Sequence, residues 1–275
     1  MQFQKSSLNI RYARSLQRSC IVFVLLCAAA GAMADNAPLD SNDSPERRAF
    51  LSGASKDCPG CDLRDAKLKR RDLTGADLTG ADLSGAVLHA ARLANAKLSR
   101  AKLQYANLNK ADLKHADLTG ADLTGVLFYA TDLSGAQFDG ATMIEAHMAH
   151  ARLTHALLRN ADLSRSKMMD AELADSDLSH AKLKQVNLSG ANLSRSNLSA
   201  VLADGALFTS ARLRNARLSE ISAIHADFYR ADLTGADLSS GDFRGSRLEG
   251  AILDGAVTTG MKTKGALLVD GTTGE

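Results

Sequence analysis

Ala76-Asp77-Leu78-Thr79-Gly80 is followed without a gap by Ala81-Asp82-Leu83-Ser84-Gly85, and the same five-residue pattern runs from Cys61 to Thr258 with no insertion or deletion. A small residue is followed two positions later by a large apolar one. The large position falls at 63, 68, 73 and every fifth residue to 258, which makes forty units in one register. It is Leu in most units, Phe at 128, 138, 208, 228 and 243, and Met at 143, 148 and 168.

A period of five is neither helical nor strand-like, because helical burial recurs every three to four residues and strand burial every two. Fixed-period self-similarity instead indicates a solenoid whose turns stack over a shared core. One short extended face plus one corner uses about five residues, so four units close a square turn of twenty. The small residues (Ala76, Ala81, Ala121) let neighbouring walls approach, and the large ones fill the middle. Leu63, Leu78, Leu83, Leu123, Phe128, Phe138, Leu193 and Phe243 are the expected core.

The charges test the twenty-residue turn independently. Stacked turns lie about 4.8 Å apart, so the residue before each large position sits over its counterpart twenty residues on. Reading down the faces gives Asp72–Arg92–Asp112, Asp132–Arg152–Glu172, Asp77–Lys97–Asp117 and Asp82–Lys102–Asp122. Opposite signs predominate, and Asp62/Asp82 and Asp112/Asp132 are the like-sign exceptions. Opposite charges across a ladder are mildly favourable and like charges unfavourable. Exposed pairs contribute only about 0.2–1 kcal/mol each, so they select register more than they supply stability.

With these units the chain resembles the pentapeptide-repeat family, whose consensus A(D/N)LXX is read in Ala76-Asp77-Leu78, Ala106-Asn107-Leu108, Ala121-Asp122-Leu123 and Ala191-Asn192-Leu193. The resemblance implies an all-β fold, a right-handed quadrilateral parallel β-helix, here of about ten turns. Departures from the consensus are mild. Arg71 and Ile221 take the small position, Thr131, Ser166 and Val186 vary it, and Ala203 and Ala223 occupy the large one. The turns near 201–224 are therefore expected to be looser. A stacked ladder excludes interior proline, and Pro38, Pro45 and Pro59 all precede the repeats.

The ends differ in character. Lys5, Arg11, Arg14 and Arg18 precede the apolar run Cys20–Ala30, and Ala32-Met33-Ala34 offers a small-x-small cleavage site. That is the pattern of a secretory signal peptide over 1–34, cut after Ala34, with a run too short to span a bilayer comfortably. The mature chain is then expected to be periplasmic or secreted, with no membrane span. Removing four basic residues takes 33 Lys and Arg to 29, against 31 acids, a net charge of −2. Residues 35–60 read as a disordered linker, a short capping helix and a Cys-Pro-Gly-Cys entry. Ser44-Pro45-Glu46 supplies an N-cap, a first-turn proline and an acid, and Phe50 and Leu51 are expected to cover the open end of the first turn. In an oxidising compartment Cys58 and Cys61 can close a tight disulfide. Residues 259–275 are expected to form a C-terminal cap and tail in which Leu267, Leu268 and Val269 cover the end or meet a second copy.

Composition and pattern argue against catalysis. The carboxylates stand in outward columns beside opposite charges, and no loop interrupts the forty units to build a pocket. No cofactor motif is present, and no catalytic, cofactor or metal residue is assigned. His147, His150 and His155 project outward and His89, His115, His180 and His225 are dispersed, which is the pattern of solvated surface histidines rather than a metal site. Lys67, Lys69, Arg70 and Arg71 cluster near the start. The balanced charge lacks the continuous basic stripe that nucleic-acid binding requires, so the cluster reads as a solvated face, with local anion binding the alternative. The family resemblance also raises a DNA-mimicking, gyrase-binding protein of the cytoplasm. That alternative needs a strongly acidic surface and no export signal.

The remaining reading is a rigid, exported scaffold that binds a protein or envelope component. Val87, Leu127 and Leu207 replace polar residues in one outward column, with Tyr129, Met169 and Tyr229 nearby. Exposed apolar groups of this kind often mark partner contacts. A homodimer through the C-terminal end is the second partner expectation.

Overall fold

Each unit shares its backbone between the coils on either side. The N–H of Val87 donates to Ala66 of the coil before (2.9 Å), and the N–H of Leu68 donates to Val87 of the coil after (2.8 Å). Lys67, Val87, Asn107, Leu127 and His147 form a parallel column at a spacing of twenty residues, and three equivalent columns run beside it. One bridging residue per unit leaves no room for a long strand. The walls are therefore four narrow faces, and the chain is a right-handed quadrilateral β-helix. The first face comprises the units 61–65, 81–85 and so on; the second, third and fourth begin at 66, 71 and 76. This computed structural model describes residues 44–275, of which Pro45–Glu275 form one unit. The expected signal peptide and residues 35–43 lie outside the described residues.

Two local rules explain the consensus. The N–H after the large residue has no backbone acceptor in these units, and the preceding Asp or Asn supplies one. Asp72 Oδ1 accepts from Thr74 N–H at 3.1 Å, Asp77 Oδ1 from Thr79 at 3.1 Å and Asn107 Oδ1 from Asn109 at 3.1 Å. The last residue of each unit then turns the corner with positive φ, as in Gly80 (66°), His115 (55°) and Asn160 (58°). From Asp65 to Gly265 that corner never carries Val, Ile or Thr, for which left-handed backbone is most costly. Five histidines, His115, His150, His155, His180 and His225, stand at such corners.

The core is continuous along the solenoid. Leu63, Leu78, Leu83, Leu123, Phe128, Phe138, Leu193 and Phe243 are fully buried. The coils at 201–224 are not loosened, contrary to the expectation from Ala203 and Ala223. Their ladder continues, with Ala203 N–H to Ser222 (2.6 Å) and Ala223 N–H to Asp242 (2.8 Å). Phe208 and Phe228 of the second face occupy the same two coils, stack at 4.7 Å and supply the missing volume. Ile221 in a small position is balanced by Gly241 one coil later, where an added Cβ would lie 3.2 Å from Ile221 and 2.6 Å from the Phe243 ring. Buried Thr131 donates to the Leu108 carbonyl (2.8 Å), whereas the Ser166 hydroxyl has no hydrogen-bond partner.

The N-terminal end is closed by helix α1, Pro45–Ser52. Phe50 is fully buried, but Leu51 is 38% exposed and does not cover the end as expected. One helical turn directs only one of two adjacent side chains onto the coil. Arg71 explains its own departure from the consensus. Its guanidinium lies 4.5 Å over the Phe50 ring and donates to the Phe50 carbonyl, and burial lowers its pKa. Arg71 therefore leaves the basic cluster expected around Lys67 and pins the cap instead. Cys58 and Cys61 are disulfide-bonded and buried. The N–H groups of Cys58 and Gly60 already donate to Asp77 and Thr79, both at 2.8 Å, so the coil starts three residues before Cys61.

At the other end the coil does not stop at Thr258. Val257, Lys262 and Leu267 bridge back to Asp237, Asp242 and Arg247, and the tail then folds back with an antiparallel bridge between Leu267 and Thr273. Thr258 and Thr263 end the inward Leu pattern, yet the backbone ladder continues because it depends on peptide groups rather than on side chains. Leu268 packs partly on the core, while Ile252, Val257 and Val269 are exposed.

Candidate interaction surface

The second face carries the apolar residues singled out in the sequence. Val87, Leu127 and Leu207 share one column, with Asn107 between the first two and His147, Lys167 and Asn187 between the last two. Tyr129 is 47% exposed and Leu207 39%, whereas Val87, Leu127, Met169 and Tyr229 are half-buried. The structure divides this set. Leu127, Tyr129 and Met169 surround a depression of about 180 Å³ that Asn109, His147, Ala149 and Lys167 complete. Leu207 and Tyr229 lie further along the axis, beyond Asn187 and Ser189. Tyr229 is covered by guanidinium groups, with Arg247 4.0 Å and Arg230 4.9 Å from its ring centre.

Tyr129 is held in place rather than merely exposed. Its N–H donates to Asn109 Oδ1 (2.8 Å), and its ring meets the edge of His150 at 5.5 Å. His150 in turn lies 4.0 Å from Asp170. In the sequence alone His150 reads as a solvated surface histidine. The corner geometry that brings it against Tyr129 depends on the stacking of two coils.

On the other faces many outward charges are paired. Arg92 meets Asp72 (3.0 Å), Arg152 meets Asp132 (3.1 Å) and Lys182 meets Asp162 (3.3 Å). The two like-sign neighbours are resolved by flanking bases: Lys114 lies 4.0 Å from Asp112 and 3.4 Å from Asp132, and Arg64 bonds Asp62 at 2.5 Å. The Arg64 hydrogen bond holds Asp62 down at about 2. Thr74 and Thr79 hydrogen bonds lower Asp72 and Asp77. Such carboxylates stay ionised and suit pairing rather than proton transfer.

A second, polar hollow of about 390 Å³ lies among Ser164, Arg165, Lys184, Gln185 and Asp204. Arg165 is already paired with Glu145 at 3.1 Å. Among the described residues no three His, Cys, Asp or Glu side chains are grouped to hold a metal, and no helix is long and apolar enough to cross a membrane.

The family model for pentapeptide repeats matches in eight copies across residues 61–100, 91–129, 131–170, 171–209 and 204–240. Among solved structures the chain is similar to HetL, a pentapeptide repeat protein involved in heterocyst differentiation regulation from the cyanobacterium Nostoc sp. strain PCC 7120. The identity is 30%, over 84% of this chain and 99% of that one, with a TM-score of 0.62. A thylakoid-lumen pentapeptide repeat protein of Arabidopsis thaliana is 30% identical over 40% of this chain and 66% of its own, with a TM-score of 0.24. QnrB1, a plasmid-mediated fluoroquinolone resistance protein, is 21% identical over 60% of this chain and 86% of its own, with a TM-score of 0.33. No curated protein matches the sequence. The repeat register, the square coil and the family match over more than half the chain lead to one assignment: this chain belongs to the pentapeptide repeat family.

Proposed function

We propose that this protein is a non-catalytic, rigid scaffold that binds a protein partner through its second face, and that it works in the periplasm or outside the cell. The observation that carries the reading is the depression beside Tyr129, where Leu127, Tyr129 and Met169 form an apolar hollow at the surface. Pentapeptide repeat proteins are generally non-catalytic interaction scaffolds, which agrees with it. The export part rests on the basic segment, apolar run and small-x-small site before Asp35. A cytoplasmic gyrase-binding protein that mimics DNA has less support, because acids and bases alternate along the faces. Anion binding at the polar hollow has less support too, since Arg165 there is already paired with Glu145.

A second contact is favoured by the C-terminal end, where Ile252 is 45% exposed, Val257 48% and Val269 41%. A homodimer through this end would cover them. The test is crosslinking of the chain in intact cells of its source, followed by mass spectrometry of the products and of the N-terminus. The expected result is a chain starting at Asp35 and a partner that is lost when Leu127, Tyr129 and Leu207 are replaced together by Ser. A partner retained in that variant, or an intact N-terminus, overturns the corresponding half of the proposal. Self-products mapping to 252–269 would identify the dimer.

A further inference from the structure

Charge is distributed unevenly among the four faces. The first, third and fourth faces each carry an acid in their opening unit, Asp62, Asp72 and Asp77. The second face has none through five successive units, from Ala66 to His150, and its first acid is Asp170 at the end of the sixth. Ahead of that acid it carries Lys67, Lys69, Arg70, Lys110 and Lys167, all exposed. None of these five makes an ion pair among the described residues. On the adjoining faces Arg92, Lys102 and Lys114 each meet a carboxylate within 4.0 Å. These five cations, on a face with no acid before Asp170, form a stripe that the acids of a bound partner could meet.

The shape of the face narrows the occupant. The unpaired cations run from the N-terminal side of the Leu127–Tyr129–Met169 depression to its far rim, with Lys67, Lys69, Arg70 and Lys110 toward the N-terminal end and Lys167 in the lining beside Met169. Five coil steps at about 4.8 Å span about 24 Å, the length of roughly seven residues of extended chain. The stripe is one unit wide. Acids such as Asp65, Asp112, Asp132 and Glu145 flank it on the neighbouring faces and disfavour a broad polyanion.

Resting on the scaffold reading above, we infer that the second face binds an acidic peptide segment of a partner protein, laid along the solenoid axis with an apolar side chain in the depression at Tyr129. The acids meet Lys67, Lys69, Arg70 and Lys110 on one side and Lys167 on the other. The depression fixes the register, and the charges raise the association rate and the salt sensitivity.

The test is fluorescence anisotropy of the full chain with a labelled heptapeptide, Glu-Asp-Glu-Leu-Glu-Asp-Glu, and with its Ser-centred counterpart of equal charge. Saturable, salt-sensitive binding that favours the Leu peptide is expected. Lys67→Glu, Lys69→Glu and Arg70→Glu together should weaken it roughly tenfold or more, while Lys184→Glu, Lys262→Glu and Lys264→Glu, an equal charge change elsewhere, should change it less than about twofold. All six positions are exposed, and circular dichroism checks that both variants remain folded. Leu127→Ser with Tyr129→Ser should remove the preference for Leu over Ser. Absence of saturable binding overturns the inference, as does equal loss in both charge variants. Binding only to heparin or to phosphatidylglycerol vesicles also overturns it. If the cellular partner is lost in the Leu127/Tyr129/Leu207 variant but kept in the Lys67/Lys69/Arg70 variant, the scaffold reading stands and this inference fails.

Discussion

Gly241 and Ile221 form a pair one coil apart in which each makes the other tolerable. Ile221 brings a branched side chain to a position usually held by Ala, and Gly241 above it has no Cβ to meet it. Gly241→Ala restores the family consensus yet should destabilise by about 1–3 kcal/mol, because the new methyl meets Ile221, the Phe243 ring and the Leu238 carbonyl. Ile221→Ala in the same chain should recover part of that loss. A double-mutant cycle by urea unfolding measures the coupling, and additive effects would show that the two sites relax separately. The same logic governs Ala203 and Ala223 beside Phe208 and Phe228: volume is conserved per coil, not per position.

Helix α1 acts through one ring and one guanidinium. Phe50 is buried on the first coil and Arg71 clasps it from the next face, so the cap closes an end that would otherwise expose apolar surface. Solenoid stability is a sum of neighbouring contacts, and losses at an end stay near that end. Phe50→Ala should therefore cost about 3–5 kcal/mol of local stability, read as faster hydrogen exchange at the Cys58 and Gly60 amides. The amide of Leu123, bonded to Thr142 in the middle of the ladder, should be unchanged. Unchanged exchange at Cys58 would mean that the disulfide alone holds the first coil.

Over the whole molecule the Asp columns link stability to pH. A carboxylate whose pKa is lower in the folded than in the unfolded chain contributes stability above the unfolded value, near 3.9, and loses it as pH falls through the folded one. Asp62, at about 2 beside Arg64, belongs to this class, as do Asp72, Asp77 and Asp237 through their Thr and Ser partners. The urea midpoint should fall steadily from pH 4 to pH 2. Arg64→Ala should make that fall shallower by removing the largest cause of the Asp62 shift. A midpoint independent of pH in that window would show that the paired columns contribute nothing.

The sequence by itself determined the coil. A five-residue period admits no helix or ordinary strand, and charge alternation at twenty residues set the number of faces, because both are properties of a repeated local geometry. It also marked Phe50, Cys58 and Cys61, which stand beside turn-forming and capping residues that are local signals. Tertiary structure decided what lies across coils. It turned Arg71 inward onto Phe50 and exposed Leu51. It balanced Ile221 with Gly241, carried the ladder past Thr258, and separated Tyr229 from the hollow at Tyr129 by covering it with Arg247. These outcomes depend on which side chains share a volume, and residues twenty apart share one only after the chain has closed its square turn.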